Sequence, residues 1–129
     1  MAWDSKPFKR VQKPWGLEIW LELNSRYCYK RIYIRAGTRS SLQFHEHKLE
    51  TNFIISGEAT VLLENDEGLM EEHHMKAGDF FTIIPPRRHR VIARTDLILQ
   101  EVSTPEVDDV IRLEDDTGRG DGRIESEHK

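Results

Sequence analysis

The stretch Ala36–Ala59, AGTRSSLQFHEHKLETNFIISGEA, decides how this chain is read, together with a second stretch downstream, Ala77–Val91, AGDFFTIIPPRRHRV. Ala36-Gly37-Thr38 reads as a turn, and Ser41–His47 then alternates as a strand does. Side chains two apart on a strand share a face. That places Gln43, His45 and His47 together, with Glu50 opening the next run, Glu50–Ser56, which Gly57-Glu58 breaks. In the second stretch Phe80–Ile84 reads as a buried strand ended by Pro85-Pro86, because proline has no N–H to give to a ladder. His89 follows at once. Two imidazoles, a carboxylate and a distant third imidazole form a ligand set for a divalent transition metal. Imidazole suits Fe, Ni, Cu and Zn, and a carboxylate admits Mn. Three or four protein ligands leave positions open for substrate.

Working outward, period-two alternation dominates the rest of the chain. Leu17, Ile19, Leu21 and Leu23 alternate with Glu18, Trp20 and Glu22; Lys30, Ile32 and Ile34 alternate with Arg31, Tyr33 and Arg35. Ala59–Glu64 and Leu69–Lys76 flank Asn65-Asp66-Glu67-Gly68, a hairpin turn. His89–Arg94 and Leu97–Val102 complete about nine short strands at spacings of roughly 8–12 residues, the pattern of a β-sandwich or barrel. One helical signal stands out: Val107, Val110 and Ile111 after Thr104-Pro105-Glu106, with Thr104 as N-cap. The ending TGRGDGRIESEHK has too little apolar surface to offset its ordering entropy and reads as a tail.

The chain has 129 residues, 37% hydrophobic and 33% charged, with a formal net charge of −4. That length is one ordinary domain. The acidic excess is local: residues 1–105 hold 15 basic and 14 acidic residues, and residues 106–129 hold 4 and 9. No run reaches the roughly 20 apolar residues of a membrane span, and the first residues lack the apolar stretch of a signal peptide. A cytoplasmic protein without a membrane partner is expected. The single Cys28 forms no internal disulfide. The absence of a basic stripe argues against a nucleic-acid partner. Of the cations Arg31, Arg35, Arg39, Lys48, Arg87, Arg88 and Arg90, those in loops beside the ligands, Lys48, Arg87 and Arg88, are the candidates to hold an anionic substrate.

The two stretches resemble the paired motifs of the cupin superfamily: Gly37, His45, His47, Glu50 and Gly57 in the first, and Gly78, Asp79, Pro85 and His89 in the second. With KPWG at Lys13–Gly16, KRIYIRAG at Lys30–Gly37 and EVSTPEVDDVIRLEDDTGR at Glu101–Arg119, the chain looks like the mannose-6-phosphate isomerase-like cupins. The resemblance implies an all-β double-stranded β-helix, the jelly-roll barrel, with a short C-terminal helix. The expected layout is an N-terminal arm at 1–12, a cupin domain at 13–116 and a disordered tail at 117–129. One divalent ion (Zn, Fe, Mn or Ni) is expected on His45, His47, Glu50 and His89. Gln43 competes with His47 for the fourth place, and otherwise contacts substrate. The implied activity is isomerisation or epimerisation of a sugar phosphate or nucleotide sugar. Glu101 or Tyr33 would serve as base, and Lys48, Arg87 and Arg88 would hold the anion. A sugar-binding module without turnover and an Fe(II) oxygenase are the alternatives. A homodimer is expected, with the aromatic segment Trp3, Phe8, Trp15 and Trp20 packed across the partner.

Overall fold

The computed structural model describes residues 9–114 and 122–124; the first eight residues, 115–121 and 125–129 lie outside the described residues. Strands follow one another as β1 (Lys9–Lys13), β2 (Gly16–Leu23), β3 (Cys28–Ile34), β4 (Leu42–Phe44), β5 (Glu50–Ser56), β6 (Glu58–Glu64), β7 (Met70–Lys76), β8 (Phe80–Ile83), β9 (His89–Ala93), β10 (Leu97–Ser103), β11 (Val110–Glu114) and β12 (Gly122–Ile124). They build two six-stranded sheets, ordered β1-β2-β3-β10-β5-β8 and β12-β11-β4-β9-β6-β7, with antiparallel pairing between neighbours. This is the jelly-roll arrangement expected of the sequence. The β6–β7 hairpin turns where expected, with Gly68 at φ +80° and the Asn65 side chain accepting the N–H groups of Glu67 and Leu69.

Three boundaries differ from expectation. No helix forms at residues 104–111. Residues 104–109 turn instead, with Val107 N–H bonded to the Pro105 carbonyl and Val110 N–H to that of Asp108. The β-branched Val110 and Ile111 then enter β11. The expected arm's last residues, Lys9–Gln12, are already β1, paired with β2. Within the expected tail, Gly122–Ile124 pair with Val110–Arg112; the remainder of both segments falls outside the described residues. Of the expected aromatic segment, Trp15 and Trp20 are buried in their own chain, and Trp3 and Phe8 lie outside the described residues.

The space between the sheets has two ends of opposite chemistry. At one end Ile32, Ile34, Ile54, Val61, Leu97 and Leu99 form an apolar core. Ile54 and Val61 are fully buried, each contributing about 1.5–3 kcal/mol by removal from water. At the other end the inward positions turn polar. Residues opposite one another in an antiparallel ladder share a face, so the register Trp20–Lys30–Glu101–Asn52 lays one row across the first sheet. The facing row on the second sheet is Arg112–Gln43–His89. All of these except Gln43 are buried.

Candidate metal centre

Two crossovers between the sheets run side by side over this polar end. Residues 45–49 carry the chain from β4 to β5, and residues 104–109 carry it from β10 to β11. Thr104 ties them: its N–H donates to the Leu49 carbonyl and its hydroxyl accepts the Leu49 N–H. His45 and Lys48 come from the first crossover, Glu50 opens β5 and His89 opens β9.

His45, Glu50 and His89 converge, all buried, each offering a ligand atom within 4.8 Å of the others. His45 Nδ1 lies 2.5 Å from the Asp109 carbonyl and His89 Nδ1 3.1 Å from the Arg87 carbonyl. A carbonyl only accepts, so both Nδ1 atoms carry the hydrogen. Both Nε2 atoms then face Glu50 Oε1, at 2.9 Å from His45 and 3.7 Å from His89. Burial pushes the His89 imidazole down to about 4 against the opposing pull of Glu50, so this ring is neutral and its Nε2 presents a lone pair. Two imidazole Nε2 atoms and a carboxylate oxygen aimed at one point form a group able to hold a metal ion. Rings oriented through Nδ1 on backbone carbonyls are the arrangement of metal-binding histidines.

Around this point the cavity, of about 100 Å³, is lined by Gln43, Lys48, Glu101, Lys30, Glu18 and Arg112, among others. Burial opposes ionisation of Glu50, but Lys48 first, then the contacts of Glu101, His45 and His89, outweigh it and hold the carboxyl well below the usual range. Burial and then the adjacent Glu50 push Glu101 up to about 8, against Lys48. Lys48 Nζ stands 3.5 Å from Glu101 Oε2. Burial favours its neutral form, yet Glu101, Glu50 and Glu18 together raise it above the ordinary lysine value. Deeper along the first sheet, Glu18 Oε1 accepts from Trp20 Nε1 at 2.9 Å and from Lys30 Nζ at 3.2 Å. The Lys30 ammonium also lies 4.3 Å over the Trp20 ring, a cation–π contact.

The structure brings together five of the residues singled out from sequence with Gln43: His45, Glu50, His89, Lys48 and Glu101. It places the others elsewhere. His47 is 74% exposed at its side chain, because β4 ends at Phe44 and alternation does not continue through the turn. Gln43, opposite His89 in the ladder, lines the cavity instead. Tyr33 alternates with the inward Ile32 and Ile34, so it lies on the outer face of its sheet. Arg87 and Arg88 bind the β6–β7 hairpin: Arg87 reaches Asp66 and the Glu64 carbonyl, Arg88 reaches the Glu64 carboxylate and the Gly68 carbonyl. Sequence reading missed Lys30, Glu18, Asn52 and Arg112. Lys30 had a usable signal, a charge in phase with Ile32 and Ile34.

A family model described as mannose-6-phosphate isomerase C-terminal matches residues 3–115. The chain belongs to the mannose-6-phosphate isomerase C-terminal family. Among its relatives, the xanthan biosynthesis protein XanB of Xanthomonas campestris pv. campestris (strain B100) is 31% identical over 114 residues, covering 86% of this chain and 24% of the relative. The mannose-1-phosphate guanylyltransferase ManC of Salmonella typhimurium (strain LT2) is 30% identical over 115 residues, covering 86% and 23%. The chain thus spans about a quarter of the length of these curated relatives. A solved RmlC-like cupin from Shewanella frigidimarina NCIMB 400 superposes with a TM-score of 0.67 at 18% identity, over 84% of this chain and 92% of that one. This likeness shows the cupin fold. Among the described residues no helix is long and apolar enough to cross a membrane.

Proposed function

We propose that this cupin binds one divalent metal ion (Zn, Fe, Mn or Ni) and isomerises or epimerises a phosphorylated or nucleotide-linked sugar. The observation that carries the reading is the convergence of His45 Nε2, Glu50 Oε1 and His89 Nε2 at the polar end of the barrel, in a chain whose relatives include a mannose-1-phosphate guanylyltransferase. His45, Glu50 and His89 would hold the ion, with Gln43 the side chain at hand for a further position. When bound, the ion supplies a Lewis acid for the sugar's carbonyl and neighbouring hydroxyl oxygens.

The remaining work falls to this chain's own groups. In its ionised form, which grows as pH rises towards about 8, Glu101, beside Glu50 and facing the cavity, takes the proton from the carbon next to the carbonyl. The electron pair moves onto the carbonyl oxygen, giving an enediolate; the proton of the neighbouring hydroxyl passes to that oxygen, and Glu101, whose proton exchanges with solvent, returns a proton to the former carbonyl carbon as the new carbonyl forms. Lys48 balances the negative charge that develops, in a site where burial strengthens such contacts. Anion recognition moves from the hairpin cations Arg87 and Arg88 to the cavity cations Lys30 and Arg112, joined by Lys13 where it lines the cavity.

The test is proton NMR of the metal-loaded protein in D₂O with hexose phosphates and their nucleotide-linked forms. Deuterium entering at the carbon next to the carbonyl, and lost in Glu101→Gln, is the expected result. Bound sugars that neither exchange nor convert would replace this reading with that of a sugar-binding module.

A further inference from the structure

The proposed centre depends on a residue that touches neither metal nor substrate. Asp109, on the second crossover, makes two kinds of contact with the first. Its backbone carbonyl accepts from His45 Nδ1 at 2.5 Å. Its carboxylate accepts three successive backbone N–H groups: Glu46 on Oδ1 at 3.2 Å, and His47 and Lys48 on Oδ2 at 2.7 and 3.0 Å. Three amides converging on one carboxylate fix the turn that leaves β4 after Phe44. That turn sends His45 inward, His47 outward and Lys48 inward within four residues.

We infer that Asp109 is a positioning residue of the metal centre, setting the tautomer and ring orientation of His45 through its carbonyl and the path of residues 45–48 through its carboxylate. The inference rests on the metal reading above. It follows from an asymmetry between the ligands. His89 is the first residue of a paired strand and Glu50 the first of another, so ladders hold their backbones. His45 lies outside any strand, and its turn is held by hydrogen bonds that end on Asp109. A neutral imidazole that donates from Nδ1 can ligate only through Nε2, the atom that faces Glu50. Without the carboxylate the turn at 45–48 shifts, His45 leaves the Asp109 carbonyl, and the ring loses that constraint on its tautomer. Outer contacts of this kind typically change metal affinity by about 10–100-fold.

The experiment titrates the full chain with Co(II), comparing wild type, Asp109→Ala and Asp109→Asn by calorimetry and by the visible spectrum of the bound ion. Asp109→Asn puts an NH₂ against backbone N–H donors and keeps the size of the side chain, so it tests the contact if the alanine variant folds poorly. The control is Asp79→Asn, which removes a carboxylate of the same kind, bonded to the Lys76 N–H on a distant turn. Nitrogen-15 NMR of the histidine rings in the metal-free protein reads the tautomer directly. The inference expects at least 10-fold weaker Co(II) binding in both Asp109 variants, an altered spectrum, and loss of the single His45 tautomer, with Asp79→Asn at wild-type affinity. Wild-type affinity and an unchanged His45 tautomer in the Asp109 variants would overturn it while leaving the metal reading intact. Wild-type protein that takes up no Co(II) would overturn both.

Discussion

Replacing Lys48 with methionine removes the cation facing two adjacent buried carboxyl groups, and its cost can be worked from their positions. Lys48 Nζ lies 3.5 Å from Glu101 Oε2, with side-chain exposures of 6% and 7%. Glu50 is held ionised and Glu101 is pushed up to about 8, so near pH 7 the two carry one charge, and it rests on Glu50. Lys48→Met therefore strands one buried charge, at a cost of about 3–5 kcal/mol. Urea unfolding of the metal-free protein at pH 7 measures it. The same accounting names the rescue: adding Glu50→Gln to Lys48→Met restores most of the stability, and adding Glu101→Gln does not. Glu50 has a depressed folded pKa. Its stability contribution is present above the unfolded carboxyl value of about 4.3 and falls as pH drops through the folded value, so the gap between wild type and Lys48→Met narrows in acid. A loss below about 1 kcal/mol, or rescue by Glu101→Gln alone, would refute this assignment of charge.

Other substitutions separate the roles assigned above. Gly57→Ala places a Cβ 2.2 Å from the Asp96 carbonyl at φ +94°. It should lower stability by at least about 2 kcal/mol in a urea titration. His47→Ala should bind metal within twofold of wild type by calorimetry, since its side chain is in solvent, whereas His45→Ala should abolish measurable binding. Arg88→Ala should lower the melting temperature by loosening the β6–β7 hairpin while leaving sugar-phosphate affinity unchanged. Arg112→Met should weaken that affinity at least 10-fold in the same fluorescence or calorimetric titration.

The fold was legible because spacing and turns leave little freedom. Gly37, Gly57 and Gly78 mark turns that the backbone makes at φ +80°, +94° and +95°, and the runs between them match the strands. The cluster His45, Glu50 and His89 was legible as residue types in the order of the family's two motifs. What alternation could not show was where a strand stops. Carrying it three residues past Phe44 put His47 on the wrong side, because the turn is set by Asp109, more than 60 residues away. Alternation does not by itself give the buried face of β2 either. Leu17 and Ile19 are the apolar positions, yet Glu18 and Trp20 are the buried ones. The inward face there meets a polar cavity, so the hydrophobic side is no longer the inner side. Arg87 and Arg88 neighbour His89 in sequence, but their side chains are claimed by the hairpin, and the cavity's cations come instead from strands distant in sequence.

The central claim is that His45, Glu50 and His89 form a metal centre. Its most direct test is a calorimetric titration of chelator-treated protein with Mn(II), Fe(II), Ni(II) and Zn(II), beside Glu50→Gln and His89→Ala. The structure predicts one ion bound per chain in the wild type and none in either variant. Absence of binding by all four ions, or binding that survives unchanged in both variants, would contradict it.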